Sequence, residues 1–304
     1  MSYFDNEQDA VKQVLRDKNT ILEGYVTEYL FEHQFLENRS GSFTQGWWCA
    51  GSNTHQIFFV VKQDLNDVDK EFACHLTSCY DVWQAKLSKM GQWEFAAIPK
   101  AGVRARILTE DQFVSEYSLP TFRSSLLATN DVRNIDRQNK CIAFFRNNGI
   151  LRKVATERYF ADDFLFRHFP SAVNVDFITK NKDGELCVLE VKFKYETRAG
   201  KFGVDSGQYH MLTKLHELGL QIHHIILYNF TKQKDLTIFG FLTTNEASRH
   251  WKIGRLTRGV AAYETIAPRY TSIDGRKLQP YFALDKTLFT KTVLFAPGNT
   301  CLDF

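Results

Sequence analysis

The sequence lacks several features that would place it outside the ordinary globular proteins. No apolar run approaches the roughly 18 residues that a membrane-spanning helix requires. The first residues, Met1 to Asp5, carry neither the basic nor the apolar segment of a secretory signal, so we expect no secretion. The six cysteines are scattered and predict free thiols in a reducing compartment. These absences predict a cytoplasmic protein with no membrane association.

The chain also lacks a strong charge of either sign. Its 38 Lys and Arg residues nearly balance 35 Asp and Glu residues, leaving a net charge of +3. A nucleic-acid-binding domain is usually more basic, so any such contact must come from local clusters. No internal repeat or low-complexity tract is present. The hydrophobic fraction of 44% supplies a sizeable core, and 304 residues favour two domains.

Local patterns divide the chain near residue 130. The stretch 124–137 is polar and weakly periodic, which predicts a boundary between an N-terminal α/β domain (1–130) and a second domain (131–304). The N-terminal domain is expected to recognise a target or a partner. In it we predict helices over 8–35, with a break near Asn19, and over 80–90, and strands over 47–49, 57–61 and 93–98. Thr109 to Gln112 forms a capping box before a further short helix.

The second domain shows sharper patterns, with a core over about 140–245. Helices are predicted over 141–147, 156–168 and 206–218, the last with Gly219 just beyond its end. A hairpin turn is predicted at 181–184, and strands over 222–230, 236–242, 281–284 and 292–295. The predicted fold class is therefore α/β (α+β), with a mixed central β-sheet flanked by helices.

One predicted strand places charged side chains where apolar ones are expected. Because strand side chains alternate, Glu190, Lys192 and Lys194 share one face. Charges within an apolar strand require partners. Asp176, on the other arm of the hairpin, could bring its carboxylate near Glu190. Two converging carboxylates suit Mg²⁺, a hard cation that takes one or two acidic ligands.

These residues resemble the motif of the PD-(D/E)xK nuclease superfamily, in its Holliday-junction-resolvase-like and phage or mobile-element branches. The matching residues are Val175-Asp176, thirteen intervening residues, and Glu190-Val191-Lys192. Val175 stands where the motif has proline. The resemblance implies a restriction-endonuclease-like core, Mg²⁺ bound by Asp176 and Glu190 with Mn²⁺ as a substitute, and a catalytic Lys192 that assists the attacking water.

Two further positions match the family. Many members place a Glu on the helix before the hairpin, and resolvase-like branches carry a Gln on the helix after it, which implies Glu157 as a third metal ligand and Gln208 as a catalytic residue. The alternatives are a first-turn acid favoured by the helix dipole for Glu157, and an ordinary helix residue for Gln208. Asp162 and Asp163 fall on another helical face, where we expect them to be solvated.

Basic clusters near this motif predict contacts with nucleic-acid phosphates. The first comprises Lys194, Arg198 and Lys201, and the second comprises Arg249, Lys252 and Arg255. A solvated surface is the alternative for each cluster. We expect a nucleic-acid partner, with DNA preferred, and either a homodimer or a partner protein bound through the N-terminal domain.

Other interpretations of these residues carry less support. Asp176, Glu190 and Lys192 could form a structural ion-pair network on an exposed hairpin. Cys49, His55, Cys74 and Cys79 could hold zinc, although their spacing fits poorly and buried thiols are the commoner explanation. The four histidines at 210, 216, 223 and 224 suit no standard zinc set, and His223 and His224 would point to opposite faces of a strand.

The sequence therefore predicts a Mg²⁺-dependent endonuclease that hydrolyses phosphodiester bonds, most readily in DNA. The alternatives are an RNase of the same fold, a non-catalytic nucleic-acid-binding or assembly module, and a subunit that cuts only within a complex. Target specificity, oligomeric state and pathway are not determined, because members of this fold serve restriction, repair, transposition and phage conflict.

Overall fold

The computed structural model describes residues 3–36, 43–52, 54–99, 105–119, 134–196, 200–231, 236–243, 250–257, 261–266 and 279–291. These residues form a mixed α/β protein. Its helices are α1 (Glu7–Val14), α2 (Asn19–Phe31), α3 (Asp67–Leu76), α4 (Glu110–Tyr117), α5 (Ile135–Asn147), α6 (Leu151–Tyr159), α7 (Phe166–His168), α8 (Ser206–Glu217) and α9 (Ile238–Leu242). The helical chain continues as π-helix over Glu32–Leu36 and Phe160–Leu165.

The strands are β1 (Phe43–Thr44), β2 (Trp47–Gly51), β3 (Gln56–Val61), β4 (Asp81–Leu87), β5 (Trp93–Ala97), β6 (Ile107–Thr109), β7 (Ser171–Val175), β8 (Phe177–Lys180), β9 (Leu186–Tyr195), β10 (Lys201–Asp205), β11 (Gln221–Asn229), β12 (Trp251–Leu256), β13 (Ala261–Ile266), β14 (Gln279–Asp285) and β15 (Phe289–Lys291).

The chain divides into two compact units. The first comprises Met1–Leu22 and Gly41–Ile178, and the second Glu23–Ser40 and Thr179–Phe304. Residues 120–133 are not described, so the predicted functional division at residue 130 stays a prediction.

The first unit is built on a six-stranded sheet of order β6-β5-β4-β3-β2-β7. The β3–β4 pair is parallel, and the remaining pairs are antiparallel. One face of this sheet carries a core rich in aromatic rings, including Phe59, Phe95, Phe113, Phe160 and Phe164. Many of these rings meet edge to face, a preferred arrangement of aromatic pairs. The high phenylalanine content of the sequence therefore serves packing in this unit.

Most predicted elements are present, and two are wrong. The segment 80–90, predicted as a helix, contains β4, whose side chains are buried continuously from Val82 to Ala85. A central strand buried on both faces shows no alternation, so its period is hard to identify. The segment 236–242, predicted as a strand, contains α9, which begins where the Thr237 hydroxyl accepts the Gly240 N–H. The predicted strand 292–295 lies outside the described residues.

The boundaries of the other elements shift only slightly. The break between the first two helices falls at 15–18, just before Asn19. The helix predicted over 141–147 begins earlier, at Ile135, because the Asn134 side chain caps it. The predicted capping box at Thr109 is confirmed, since Thr109 and Gln112 exchange both expected hydrogen bonds. The predicted mixed α/β class is confirmed at this level.

Asp162 and Asp163 were expected to be solvated, and this prediction is wrong. Arg158 lies within 2.8 Å of an Asp17 oxygen and 2.6 Å of an Asp162 oxygen, and all three side chains are mostly buried. Asp163 pairs with Arg16 at 2.6 Å and with Arg167 at 2.9 Å. The Arg158 guanidinium is thus shared by the carboxylates of Asp17 and Asp162. Burial raises the pKa of Asp162 to about 7; Arg158 opposes the shift, and Asp17 adds to it.

We expect the contribution of Asp162 to lower the melting temperature between about pH 4 and pH 7. Its folded pKa of about 7 lies above its ordinary value of 3.8, so the folded state holds the proton more tightly. The resulting stabilisation is present at low pH and is lost as the pH rises toward 7. Thermal unfolding of Asp162→Asn should show a flatter pH dependence, by a few degrees at about 2–4 °C per kcal/mol.

Asp9→Asn is the control for this measurement, because Asp9 forms an exposed pair with Lys12 in the same unit. This variant should retain the pH dependence of the wild type. Identical profiles for the wild type and Asp162→Asn would assign the pH dependence to other groups.

The second unit contains a mixed sheet in which the strands follow the order β8-β9-β11-β12-β15. Strands β9 and β11 are parallel, and α8 connects them through the short strand β10. Strands β12 and β15 add antiparallel partners. A separate three-stranded sheet has the order β10-β14-β13. Such parallel pairs require a crossover connection, and α8 supplies it.

Helical side chains cover the apolar face of this sheet. From α2 and the π-helical turn after it, Phe31 and Phe35 pack against Trp251 with ring centroids 5.5 and 5.6 Å apart. From α9, Phe241 packs on Phe193 at 5.3 Å. The odd-numbered residues of β9 therefore face a hydrophobic core. None of the described helices is long and apolar enough to cross a membrane.

Candidate active site on the sheet of the second unit

The charged residues of β9 share the face opposite this apolar core. In the parallel pairing with β11, Glu190 aligns with His224, Lys192 with Ile226 and Lys194 with Tyr228. Registered residues of neighbouring strands point to the same side of a sheet. Glu190, Lys192 and Lys194 therefore lie on one face of the strand, as predicted.

Glu190 lies at the centre of this face and is fully buried, with 0% exposure. The side-chain amide of Gln208 donates to its Oε1 atom, and the ammonium of Lys192 pairs with the same oxygen. The Lys192 side chain keeps 25% of its surface exposed. A buried carboxylate is tolerated only with partners of this kind. Glu190, Lys192 and Gln208 thus form one contact cluster between strand and helix.

The start of α8 positions Gln208. Asp205 is the N-cap, and its carboxylate accepts the Gly207 N–H at 2.9 Å. This cap sets the first helical turn, in which Gln208 is buried with 8% exposure. Helical spacing then buries Met211 and Leu215 on the same side. The prediction that Gln208 faces the sheet is confirmed.

Burial lowers the pKa of two titratable neighbours on this face. The pKa of His224 is lowered to about 3, mainly by burial and in smaller part by the charges of Lys194 and Lys192. Burial also lowers the pKa of Lys194, as does the charge of Lys192, whereas Glu190 opposes the shift. His223 registers with Leu189 on the apolar side, so the prediction that the two histidines point to opposite faces is confirmed.

Asp176 belongs to the first unit, directly before β8. It is 3% exposed, and the Asn174 amide donates to its Oδ1 at 2.6 Å. The hairpin from β8 to β9 turns at 181–184, as predicted. Its turn is closed by the Asn181 N–H, which donates to the Glu185 carbonyl at 2.9 Å, and Gly184 adopts a φ of 82°.

Glu157 also belongs to the first unit, where it lies half-buried on α6. It lines a cavity together with Lys62 and Lys153. Its role as a third metal ligand stays a prediction.

The basic residues predicted to contact nucleic acid occupy different places. Lys194 lies on the Glu190 face, and so does Lys252, which registers with Ile226. Lys201 lies at the start of β10, opposite Asp285. Arg255 registers with His223 and therefore lies on the other face of the sheet. Arg198 and Arg249 lie outside the described residues.

His224 and Tyr228 are neighbours of the cluster that the sequence did not predict. The Lys252 ammonium lies 4.0 Å from the centroid of the Tyr228 ring, a cation–π contact. The Tyr228 hydroxyl donates to Glu196 at 3.1 Å, and Lys286 donates to the same carboxylate at 3.0 Å. The polar His224 within the apolar strand β11 was the signal available in the sequence. Its alignment with Glu190, however, depends on the parallel register of β9 and β11.

Within the described ranges there is no group of three or more His, Cys, Asp or Glu side chains suited to a metal ion. The four residues considered for zinc do not form one: Cys49 is buried, whereas Cys74 and Cys79 are exposed. The described cysteines are free thiols, as predicted.

Comparison of the chain with protein-family models, with curated proteins and with solved structures gave no match.

Proposed function

We propose that this protein is a metal-dependent endonuclease with a restriction-endonuclease-like core, and that it hydrolyses phosphodiester bonds in DNA. One observation carries the proposal. A fully buried glutamate, Glu190, is contacted at one oxygen by both a lysine from its own strand and a glutamine from the following helix. Burying the carboxylate costs desolvation free energy, and the two donors that converge on one of its oxygens hold it in a fixed orientation on the strand.

The topology around Glu190 supports the same function. The hairpin β8–β9 is followed by α8 and by β11, which pairs parallel to β9. This order matches the strand, helix and strand of the nuclease core that the sequence resembles. Asp176 and Glu190 each stand five residues from the closing pair of the turn, Asn181 and Glu185. Hairpin arms of equal length thus lead from the turn to the two carboxylates.

The donor set suits Mg²⁺, with Mn²⁺ as a substitute. Asp176 and Glu190 offer hard carboxylate oxygens, and Mg²⁺ keeps most of its waters and takes one or two such ligands. Two carboxylates therefore suffice, and the proposal does not depend on Glu157. The ion, when bound, supplies a Lewis acid for the scissile phosphate and lowers the pKa of the attacking water.

The residues of the chain have distinct tasks in this mechanism. Gln208 holds the Glu190 carboxylate in one orientation through its amide. Lys192, partly exposed on the same face, stabilises the negative charge that develops on the phosphate and orients the attacking water. The neutral His224 adds no competing charge beside Glu190.

Basic residues on the Glu190 face would hold the substrate. We assign Lys194 and Lys252 to phosphate contacts, with Lys201 at the start of β10 as a third. Arg255 is left out, because it lies on the opposite face of the sheet. The N-terminal domain, residues 1–130, would then select the target or bind a partner protein or second copy.

The test is cleavage of supercoiled plasmid with Mg²⁺, with Mn²⁺ and with EDTA, by the wild type and by Glu190→Gln. We expect nicking or linearisation that requires metal and is lost in the variant, since the amide removes the charged ligand but keeps its shape. Intact plasmid together with cleaved RNA would instead indicate an RNase. If both substrates stay intact while the protein binds them, the chain is a binding module or needs a partner.

A further inference from the structure

The first unit contains a cavity that the proposed nuclease site does not use. Its apolar floor consists of Val61, Ala85 and Leu87, from the ends of β3 and β4. Val61 and Ala85 are registered partners, so they lie side by side on one face of the sheet. Ala85 is itself buried, so the half-buried Val61 and Leu87 present the accessible part of this floor. The volume of the cavity is about 290 Å³, close to the lower end of the roughly 300–1,000 Å³ typical of small-ligand sites.

An aromatic ring forms one wall of this cavity. Tyr3 packs against Tyr159 with ring centroids 5.3 Å apart, and its ring lies directly over Gly91. A Cβ atom at Gly91 would come within 2.4 Å of this ring, so the glycine permits the close approach. Tyr3 nevertheless remains 38% exposed. The ring is therefore held in place while part of its surface is accessible, as a stacking platform requires.

The rim of the cavity is positively charged. Lys62, Arg152 and Lys153 line it, against a single acid, Glu157. The Lys62 ammonium pairs with the buried Asp69 carboxylate at 2.9 Å. Arg152 and Lys153 are exposed at the start of α6; Arg152 pairs with the Asp5 carboxylate at 3.6 Å, and Lys153 donates to the Gln45 side chain. Two exposed cations on adjacent residues can receive a doubly charged phosphate.

Polar groups complete the lining between the floor and the rim. Thr156 and Glu157 follow the two cations along α6, and Gln63 follows β3. Hydroxyl, carboxylate and amide groups can pair with the donors and acceptors at the edge of a nucleobase. The combination of an apolar floor, an aromatic ring, polar groups and basic side chains fits a planar heterocycle that carries a phosphate.

We propose that this cavity binds a nucleoside monophosphate, either as a free nucleotide or as the terminal nucleotide of a strand. The base lies on the Val61–Ala85–Leu87 floor beside Tyr3, and the phosphate is held by Arg152 and Lys153. In this arrangement Glu157 lies beside the bound nucleotide. The inference stands apart from the nuclease activity, since Asp176, Glu190, Lys192 and Gln208 are not among the residues that line the cavity.

The test is isothermal titration calorimetry of the full chain in EDTA, so that metal-dependent cleavage cannot occur. The probes are deoxyadenosine and thymidine monophosphates, inorganic phosphate, and a short oligonucleotide with and without a 5′-phosphate. We expect the monophosphates to bind, and Lys153→Ala to weaken that binding about tenfold, in line with one lost charge-assisted contact. Tyr3→Leu, which retains an apolar side chain against Tyr159, should weaken it several-fold.

Lys89→Ala is the matched control, because Lys89 is an exposed lysine of the same unit that does not line the cavity. It should bind like the wild type. Tighter binding of the 5′-phosphorylated oligonucleotide than of the monophosphates assigns the cavity to a strand end, and equal binding assigns it to free nucleotides. The proposal is overturned if the monophosphates do not bind, if inorganic phosphate binds as tightly as they do, or if Lys153→Ala and Lys89→Ala bind alike.

Discussion

Lys192→Met is expected to lower the rate of metal-dependent DNA cleavage by about 10²–10³-fold, the loss typical when one group that stabilises transition-state charge is removed. Methionine retains the aliphatic stem of the lysine but neither its charge nor its donors. Lys192 contacts Glu190 and is partly exposed on the face where the substrate phosphate would lie. Its removal should therefore affect the reaction more than the binding of DNA.

Three measurements separate catalysis from structure for this variant. Single-turnover cleavage reports the reaction, fluorescence anisotropy with Ca²⁺ in place of Mg²⁺ reports DNA binding, and thermal unfolding reports stability. Lys182→Met, in the exposed hairpin turn, is the control and should cleave like the wild type. Cleavage by Lys192→Met at the wild-type rate would remove Lys192 from the mechanism. A large fall in melting temperature with binding and cleavage lost together would make the pair with Glu190 structural.

Asp69→Ala should be the most destabilising of the substitutions considered, lowering the free energy of unfolding by about 3–5 kcal/mol. Asp69 is fully buried at the start of α3. Its carboxylate accepts from the Trp47 indole at 2.8 Å and pairs with Lys62 at 2.9 Å, and the Thr44 hydroxyl donates to it as well. Removing the carboxylate leaves these donors without their acceptor in the interior, which costs more than the hydrogen bonds contribute.

Urea unfolding measures this loss, and thermal unfolding should show a fall of roughly 6–20 °C at about 2–4 °C per kcal/mol. Asp67→Ala is the matched control. Asp67 lies two residues earlier in the same helical turn, but its side chain is 94% exposed in a pair with Lys70. Exposed pairs contribute about 0–1 kcal/mol, so this variant should be nearly as stable as the wild type. Similar midpoints for the two variants would show that the Asp69 network does not stabilise the unit.

Elements with strong local signals were predictable from the sequence. The hairpin turn at 181–184 follows from Asp183-Gly184, and α8 follows from its apolar spacing and from Gly219 beyond its end. Alternation along β9 was enough to place Glu190, Lys192 and Lys194 on one face. Short apolar runs were not predictable in the same way, because β4 and α9 contain few residues and each fits either period.

The surroundings of Glu190 needed the tertiary structure. That Lys192 and Gln208 meet at the same carboxylate oxygen depends on how α8 docks on the sheet. That Arg255 lies on the far face and Lys252 on the near one depends on the register of β11 with β12. Registers between distant strands are set by packing of the whole sheet, and a shift of one residue would exchange the faces.

The sequence by itself determined which side chains are chemically unusual: an acid and two lysines in an apolar strand, and a glutamine at the start of the next helix. It did so because alternation and helical spacing are local properties of the chain. The tertiary structure alone decided which of these groups touch, that Asp162 and Asp163 are ion-paired and mostly buried, and that Arg152 and Lys153 border a cavity beside Tyr3. Contacts between residues far apart in sequence depend on packing that no local pattern encodes.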